Sequence, residues 1–354
     1  MKLEDLGYSE ELEHFRKKEQ LEFFTIGRVI SEHKDRYLVK TETGEFNSEL
    51  IGSIRFTAKD RADLPAVGDW VALSEYDEDK ALIHAIFPRN SVLERRAVGR
   101  SGQKQIIATN VDYGLIVQAT NRDFNINRLE RYLTICNAAQ IEPIILVSKI
   151  DLIDEAEIET LLNQIKDRIK DTVVLALSNK TKVGLDKLDA IIAKGKTYCL
   201  LGSSGVGKST LLNNLAGIKI MDTGNISQSI DRGKHVTSHR ELIILKNGGI
   251  LIDNPGMREV GITVSEGLEL TFEDIYKFAQ NCKFTDCTHT HEKGCAVMGA
   301  VEQGNLDSDS YSNYRKMEKE KEHFESDAQE RKRKDKDLGK MIKRIKKIKK
   351  KTKY

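Results

Sequence analysis

Residues 197–210 read Thr197-Tyr198-Cys199-Leu200-Leu201-Gly202-Ser203-Ser204-Gly205-Val206-Gly207-Lys208-Ser209-Thr210. The first five suit a buried strand. The next eight match the G-x-x-x-x-G-K-[ST] loop, and 208–215 suit a helix that ends before Gly217. Glycines let successive backbone N–H groups turn inward around phosphates. Lys208 then reaches the β and γ oxygens, and the Ser209 hydroxyl ligates Mg²⁺. A glycine-rich turn arising by chance would lack the flanking strand and helix.

Outward from this loop the rhythm is that of a doubly wound α/β sheet. Apolar runs at 111–119, 143–147 and 173–177 read as strands. Between the first two, Asn127 is expected to cap a helix with Leu129, Tyr132, Leu133 and Cys136 on one face. A second helix, 154–170, carries Ile158, Leu161, Leu162, Ile165 and Ile169 on its core side. Downstream, 241–246 and 250–253 form strands joined by Asn247-Gly248-Gly249, a hairpin signal. Asp253-Asn254-Pro255-Gly256 ends the second strand. Asp253 is placed to hold Mg²⁺ through water, and the Gly256 N–H to meet the γ-phosphate. Asp, Asn, Pro and Gly also favour plain turns, so the upstream phosphate loop gives this one its meaning.

Guanine is read by a carboxylate that accepts from its N1–H and exocyclic amine, an arrangement adenine cannot satisfy. The corresponding [NT]-K-x-D loop ordinarily follows the phosphate loop. None lies downstream of Ser209. Upstream, Ser148-Lys149-Ile150-Asp151 follows the strand 143–147, and Ser178-Asn179-Lys180 follows 173–177. There a backbone N–H could meet guanine O6. The motifs therefore run base loop, second base loop, phosphate loop, switch I, switch II, which is a circular permutation of the GTPase order.

The flanks differ in character. Short strands at 24–30, 37–43, 69–74 and 81–87, separated by turns, point to a small barrel. From about 266 the chain reads as mainly helical, with Thr271 and Asp274 expected to cap a helix through Phe278. Three of the five Cys fall within 282–295. Clustered beside His, they read as metal ligands in a reducing compartment rather than as a disulfide scaffold. Cys282, Cys287, His289 and Cys295 would make a closed tetrahedral zinc site of structural type. His291 is equally near, and spacing alone does not choose between the two imidazoles.

The chain has 354 residues and a net charge of +2. That figure divides into +12 on residues 331–354, with 14 Lys and Arg against 2 Asp, and −10 on the rest. The acidic body is no nucleic-acid glue, while the tail is a candidate polyanion contact. In the tail Leu338, Met341, Ile342, Ile345 and Ile348 fall three or four apart, so it can form an amphipathic helix. A solvated tail, a membrane-surface helix and an RNA contact compete, and RNA is the preferred reading. No apolar run approaches a membrane span, and residues 1–20 lack a secretory apolar region. A soluble, cytoplasmic protein is expected.

These motifs, with Pro65-Ala66-Val67-Gly68-Asp69-Trp70-Val71, Pro88-Arg89-Asn90, Asn110-Val111-Asp112, Asn125-Ile126-Asn127-Arg128-Leu129, Phe284-Thr285-Asp286-Cys287-Thr288-His289 and Gly294-Cys295-Ala296-Val297, resemble the ribosome small-subunit-dependent GTPase A (RsgA/YjeQ) family. The resemblance covers about 24–320. It implies an N-terminal OB-fold β-barrel, a central circularly permuted P-loop GTPase domain and a C-terminal mainly helical zinc domain. The expected divisions are 1–22 extension, 23–98 OB-fold, 99–265 GTPase domain, 266–328 zinc domain and 329–354 basic tail. It also implies GTP hydrolysis stimulated by the small ribosomal subunit, rRNA binding, and a role late in that subunit's maturation, by a monomer off the membrane. It selects His289 as the zinc ligand.

Three departures accompany it. Ser148 stands where Asn usually braces the phosphate loop, which is expected to weaken base affinity. Asn179 stands where Ala is usual. In Gly233-Lys234-His235-Val236-Thr237, Val236 replaces a common Thr, leaving Thr237 rather than Ser238 as the switch I Mg²⁺ ligand. Met257 occupies the place of the water-orienting Gln of ordinary GTPases, and the resemblance assigns that task to His235. A non-enzymatic RNA-binding module and an ATP-dependent enzyme are the competing classes. Asp151 argues against ATP.

Overall fold

The computed structural model describes residues 1–33, 36–96, 104–121, 124–217, 241–253 and 265–325. They fall into two compact units, one drawn from the residues up to Asp253 and one from 265–325.

The first unit begins with a 3₁₀ turn at Leu3–Leu6. Helix α1 (Glu10–Lys18) follows, capped by Ser9, whose hydroxyl accepts from Leu12 N at 3.4 Å. Five strands follow: β1 (Thr25–His33), β2 (Arg36–Lys40), β3 (Glu45–Leu50), β4 (Trp70–Asp77) and β5 (Lys80–Ile86), with the short helix α2 (Gly52–Thr57) between β3 and β4. The nine-residue β1 pairs with both β2 and β4, β3 runs parallel to β5, and β5 returns to β4. The sheet therefore closes as 1-2-3-5-4-1, the OB barrel. A bulge between Val29 and Ser31 helps β1 to serve both neighbours. Strand alternation sorts the side chains. Val29, Val39, Val71, Leu73 and Ile83 fill the barrel, while Ile26, Trp70, Ala72 and Phe87 face outward beneath Leu6 and Leu12. The N-terminal segment is thus packed against the outside of the barrel through Leu6 and Leu12. β3 carries Glu, Asn, Ser and Glu among its six residues, which hides it from an apolar-pattern reading.

A two-stranded ribbon, β6 (Val92–Arg96) with β7 (Lys104–Thr109), leads into the second sheet. Its elements are β8 (Tyr113–Ala119), α3 (Ile126–Ala138), β9 (Glu142–Ser148), α4 (Glu155–Arg168), β10 (Val173–Ala176), α5 (Leu185–Ile191), β11 (Thr197–Leu201), α6 (Lys208–Ala216), β12 (Glu241–Ile244) and β13 (Ile250–Asp253). The order is β10-β9-β8-β11-β13-β12, all parallel except β12. A single pairing, Ser31 with Glu241, joins β12 to β1 of the barrel. Both faces of the sheet are covered. Leu129 and Leu133 of α3 and Ile165 of α4 pack on Ile116, Ile145 and Leu201. Leu188 of α5 and Leu211 and Leu212 of α6 pack on Leu115, Leu146 and Leu200. These interleaved strand positions are the alternation of a doubly wound sheet. Chain order reverses between β8 and β11, and ligands of such sheets bind at that reversal, at the carboxyl ends of the strands.

Two helix starts differ from expectation. α3 is capped by Asn125, whose side chain accepts from Arg128 N at 3.3 Å, while Asn127 lies inside the helix. Both positions are Asn, and the apolar stripe alone does not separate two candidate caps two residues apart. In the second unit Thr271 ends α7 (Ser265–Thr271), where its hydroxyl donates to the Gly267 carbonyl at 2.7 Å. The next helix, α8 (Glu273–Ala279), starts after Phe272 without a side-chain cap. There Phe272 is buried against Leu268 and Tyr314, so packing sets the start instead. α9 (Ala296–Glu302) and α10 (Ser308–Glu325) complete this unit around Ile275, Val297, Ala300, Tyr314 and Met317.

Candidate nucleotide site and candidate metal centre

Gly202, Gly205 and Gly207 all have positive φ, at 138°, 83° and 99°. At Gly202 a Cβ would also sit 2.3 Å from the Val117 carbonyl of the neighbouring strand, so the turn out of β11 has room only for glycine. Gly207 stands at the N-cap of α6. The helix therefore points unpaired N–H groups and its positive end into the loop, as phosphate binding requires. Lys208 Nζ lies across the loop, donating to the Gly202 carbonyl at 2.7 Å and the Ser203 carbonyl at 2.6 Å. Ser209 and Thr210 follow in the first turn of α6. β11 and β13 are hydrogen-bonded neighbours, with Cys199 opposite Ile252. Asp253, 5% exposed, therefore emerges at the same sheet edge as the phosphate loop.

The two base loops emerge at this edge from β9 and β10. Lys149 takes a left-handed conformation at φ 61°, and its carbonyl accepts from Thr120 Oγ1 at 2.9 Å. That tight turn brings Asp151 to Ser178, whose hydroxyl donates to the carboxylate at 2.5 Å. Ser178 Oγ in turn accepts from the backbone N–H of Lys180 at 3.2 Å and Thr181 at 3.1 Å, which fixes its proton toward Asp151. The buried Ser148 hydroxyl donates to the Val206 carbonyl at 2.7 Å, so the shorter side chain still reaches the phosphate loop. Asn179 reaches it too, through Nδ2 to the Gly207 carbonyl at 3.1 Å. The structure thus gathers Ser148, Lys149, Asp151, Ser178, Asn179, Lys180 and the loop from Gly202 to Thr210 at the strand-order reversal. His235, Thr237 and Gly256, with Val236, Ser238 and Met257, lie outside the described residues, as does the tail 331–354.

Sequence reasoning missed three contributors. Thr120 directly follows β8, the other strand of the reversal, and that position is its one available signal. Asn214 on α6 donates to Asn179 Oδ1 at 3.0 Å. Tyr132 of α3, whose phenol pKa is raised by burial, shares a hydrogen bond with Ser203. The last two meet their partners only through the fold.

In the second unit the ligand atoms of Cys282, Cys287, His289 and Cys295 all lie within 4.8 Å of one another. His289 Nδ1 is 3.6 Å from Cys282 Sγ and 3.5 Å from Cys295 Sγ, and those sulfurs are 4.0 Å apart. A tetrahedral ion with zinc-like bond lengths requires about 3.6 Å between nitrogen and sulfur and about 3.8 Å between sulfurs. The set fits such an ion through Nδ1. Burial raises the Cys282 thiol, but N–H donation from Val297 and Ala296, with hydrogen bonds from Cys287 and Cys295, together leave its pKa lowered. His291 turns away, with its Nδ1 2.7 Å from Thr290 Oγ1. Glu292 enforces this choice. Its carboxylate accepts from the N–H groups of Thr288, Thr290 and His291 at 3.0, 2.9 and 3.1 Å, which pins the loop that carries both imidazoles.

A family model described as RsgA GTPase matches residues 86–263. One described as 50S ribosome-binding GTPase matches 197–344, starting at the first residue of β11. The chain is similar to the small ribosomal subunit biogenesis GTPase RsgA 2 of Lactiplantibacillus plantarum, at 43% identity over 295 residues and 83% of each chain. Its counterpart RsgA 1 in Bacteroides thetaiotaomicron is 35% identical over 347 residues, 97% of this chain and 96% of the relative. Among solved structures, YjeQ from Thermotoga maritima superposes with a TM-score of 0.63 at 26% identity, over 84% of this chain and 98% of that one. YloQ, described as a circularly permuted GTPase, gives 0.62 at 27%, over 86% and 98%. Loop order, strand order and kinship along the chain agree: it belongs to the RsgA GTPase family and is a GTP hydrolase.

Proposed function

We propose that this GTPase acts in late biogenesis of the small ribosomal subunit and hydrolyses GTP faster when bound to that subunit. The observation that carries the reading is the meeting of both base loops with the phosphate loop at one sheet edge, in a chain whose relatives are named for small-subunit biogenesis. Asp151 would read guanine with Ser178 holding its carboxylate, and the backbone at Asn179 would meet O6. The loop Gly202–Thr210 would cradle the phosphates with Lys208.

Ser209 and Thr237 would hold Mg²⁺ directly and Asp253 through water. The ion would neutralise charge developing on the β and γ oxygens. Gly256 would meet the γ-phosphate and His235 would orient the attacking water. Zinc is the proposed occupant of the Cys₃His centre. With all four positions filled by protein it would staple the second unit and take no part in hydrolysis. The partners are rRNA of the small subunit, contacted in part by the basic tail, and the protein would work as a cytoplasmic monomer off the membrane. Among the described residues no helix is long and apolar enough to cross a membrane.

The test is phosphate release with isolated subunits. Small subunits should raise the rate well above that of the protein alone, and large subunits should not. Equal rates with and without small subunits would overturn the proposal. Stimulation by large subunits alone would reassign the partner.

A further inference from the structure

Two side chains from the base loops grip successive peptide groups of the phosphate loop. Ser148 Oγ holds the Val206 carbonyl and Asn179 Nδ2 holds the Gly207 carbonyl. The second contact is oriented from behind. Asn214 Nδ2 donates to Asn179 Oδ1 at 3.0 Å and to the Asn179 carbonyl at 3.3 Å. Lys182 Nζ donates to Asn214 Oδ1. The chain of donors has one consistent sense. An ammonium only donates, so Asn214 presents oxygen to Lys182 and its amide NH₂ to Asn179. Asn179 must then present its own NH₂ to Gly207, whose carbonyl only accepts. The held carbonyl also accepts from Leu211 N at 2.9 Å, the first turn of α6. Asn179 packs so closely over this turn that a Cβ on Gly207 would meet its Nδ2 at 2.9 Å.

We propose that Asn179 is a positioning residue. Its side chain, set by Asn214, fixes the Gly207 peptide at the head of α6, where the β-phosphate docks, while its backbone serves the base. One residue thereby ties base recognition to the phosphate cradle and completes a grip that Ser148 makes on Val206 alone. The inference rests on the GTP reading of the two base loops.

The experiment measures GMP, GDP and GTP affinities of the full-length protein with Mg²⁺, for Asn179→Ala, Asn179→Asp and Asn214→Ala. Asn179→Asp keeps the size and replaces the donor by an acceptor. In Asn179→Ala, loss of one neutral hydrogen bond should weaken GDP and GTP roughly three- to tenfold, and Asn179→Asp, which turns a carboxylate toward the Gly207 carbonyl, should weaken them at least as much. GMP, which has no β-phosphate for the loop to hold, should change less than about twofold. Asn214→Ala should give the same pattern with a smaller loss. A merely structural lesion would lower the thermal midpoint of the nucleotide-free protein and weaken all three nucleotides alike. Equal losses for GMP, GDP and GTP, or unchanged GDP and GTP, would overturn the proposal. Asp151→Asn run alongside separates the two levels: it should weaken all three nucleotides. If it weakens none, the base-loop reading itself falls and carries the proposal with it.

Discussion

Asp151 is exposed, and its carboxylate is aimed by Ser178 at 2.5 Å. Exposure leaves the other acceptor positions open to guanine N1–H and the exocyclic amine. Asp151→Asn replaces an acceptor by an amide that can donate. GTP binding should weaken by about 2–4 kcal/mol, the worth of one or two charge-assisted hydrogen bonds. Xanthosine triphosphate, with oxygen at C2, should gain. Competition between the two nucleotides for the variant checks this, and unchanged GTP preference would remove 148–151 from the base site. The same scale shows what one sequence reveals. Gly202, Lys208 and Asp151 are legible because their chemistry is local and their spacing is fixed by a single turn. Ser148 is a substitution whose outcome depends on a partner 58 positions away, and the expected loss of the brace is met by a 2.7 Å bond to Val206. Asn179 reads as a backbone contributor, and only the fold brings its amide to Gly207.

At the scale of elements, apolar runs of five to nine residues between helices place β8 to β11. β8, β9 and β11 lie inside the sheet, where parallel strands covered on both faces must be apolar, while β10 at the edge is only half-buried. β3 and the cap of α3 were not readable in this way. The first is polar on one face, and the second has two Asn within one helical turn. The metal element behaves differently again, since its loop is specified by ligands more than by core. The second unit has a thin apolar centre, and Cys295 is itself part of it. Metal binding free energy should then be folding free energy there. Purified protein should carry one zinc per chain. Cys287→Ser, or a strong chelator, should melt 265–325 while leaving GTP affinity within a few-fold of the unaltered protein. Hydrogen exchange read separately over 265–325 and over 104–253 checks it. A metal-free preparation with both regions protected would show that the four ligands are not a folding centre.

At the scale of the first unit, barrel and GTPase sheet share one buried cation. Arg28 of β1 is 1% exposed. It donates to the carbonyls of Leu6 at 2.6 Å, Gly68 at 3.1 Å and Asn110 at 2.9 Å, and to Thr197 Oγ1 at 2.9 Å. Burial lowers its pKa to about 10, with Asp112 and Asp69 acting in the opposite sense. Trp70 lies under the guanidinium at 5.5 Å. Thr197 opens β11, the strand whose far end leads into the phosphate loop, so the contact ties the barrel to the strand that carries the loop. Thr197 N also donates to Asp112 at 2.8 Å, and Lys196 pairs with the same carboxylate at 2.8 Å, which fixes the far side of the joint. Arg28→Met removes the charge and leaves three buried acceptors and the half-buried Asn110 carbonyl without that donor, at a cost of about 2–5 kcal/mol to the unit. The more telling readout is coupling. Trp70 is the chain's one tryptophan and sits in the barrel, so its fluorescence follows barrel unfolding. A ligand present at 100 times its Kd stabilises whatever unfolds together with its site by about 2.7 kcal/mol. In the unaltered protein, saturating GTP should therefore raise the Trp70-detected midpoint, although none of the proposed nucleotide contacts is a barrel residue. In Arg28→Met, GTP should still bind, because the loops are intact, yet the Trp70 midpoint should shift much less. An equal shift in both proteins would mean that the β1–β12 pairing and the surrounding apolar contacts couple barrel to nucleotide site without Arg28.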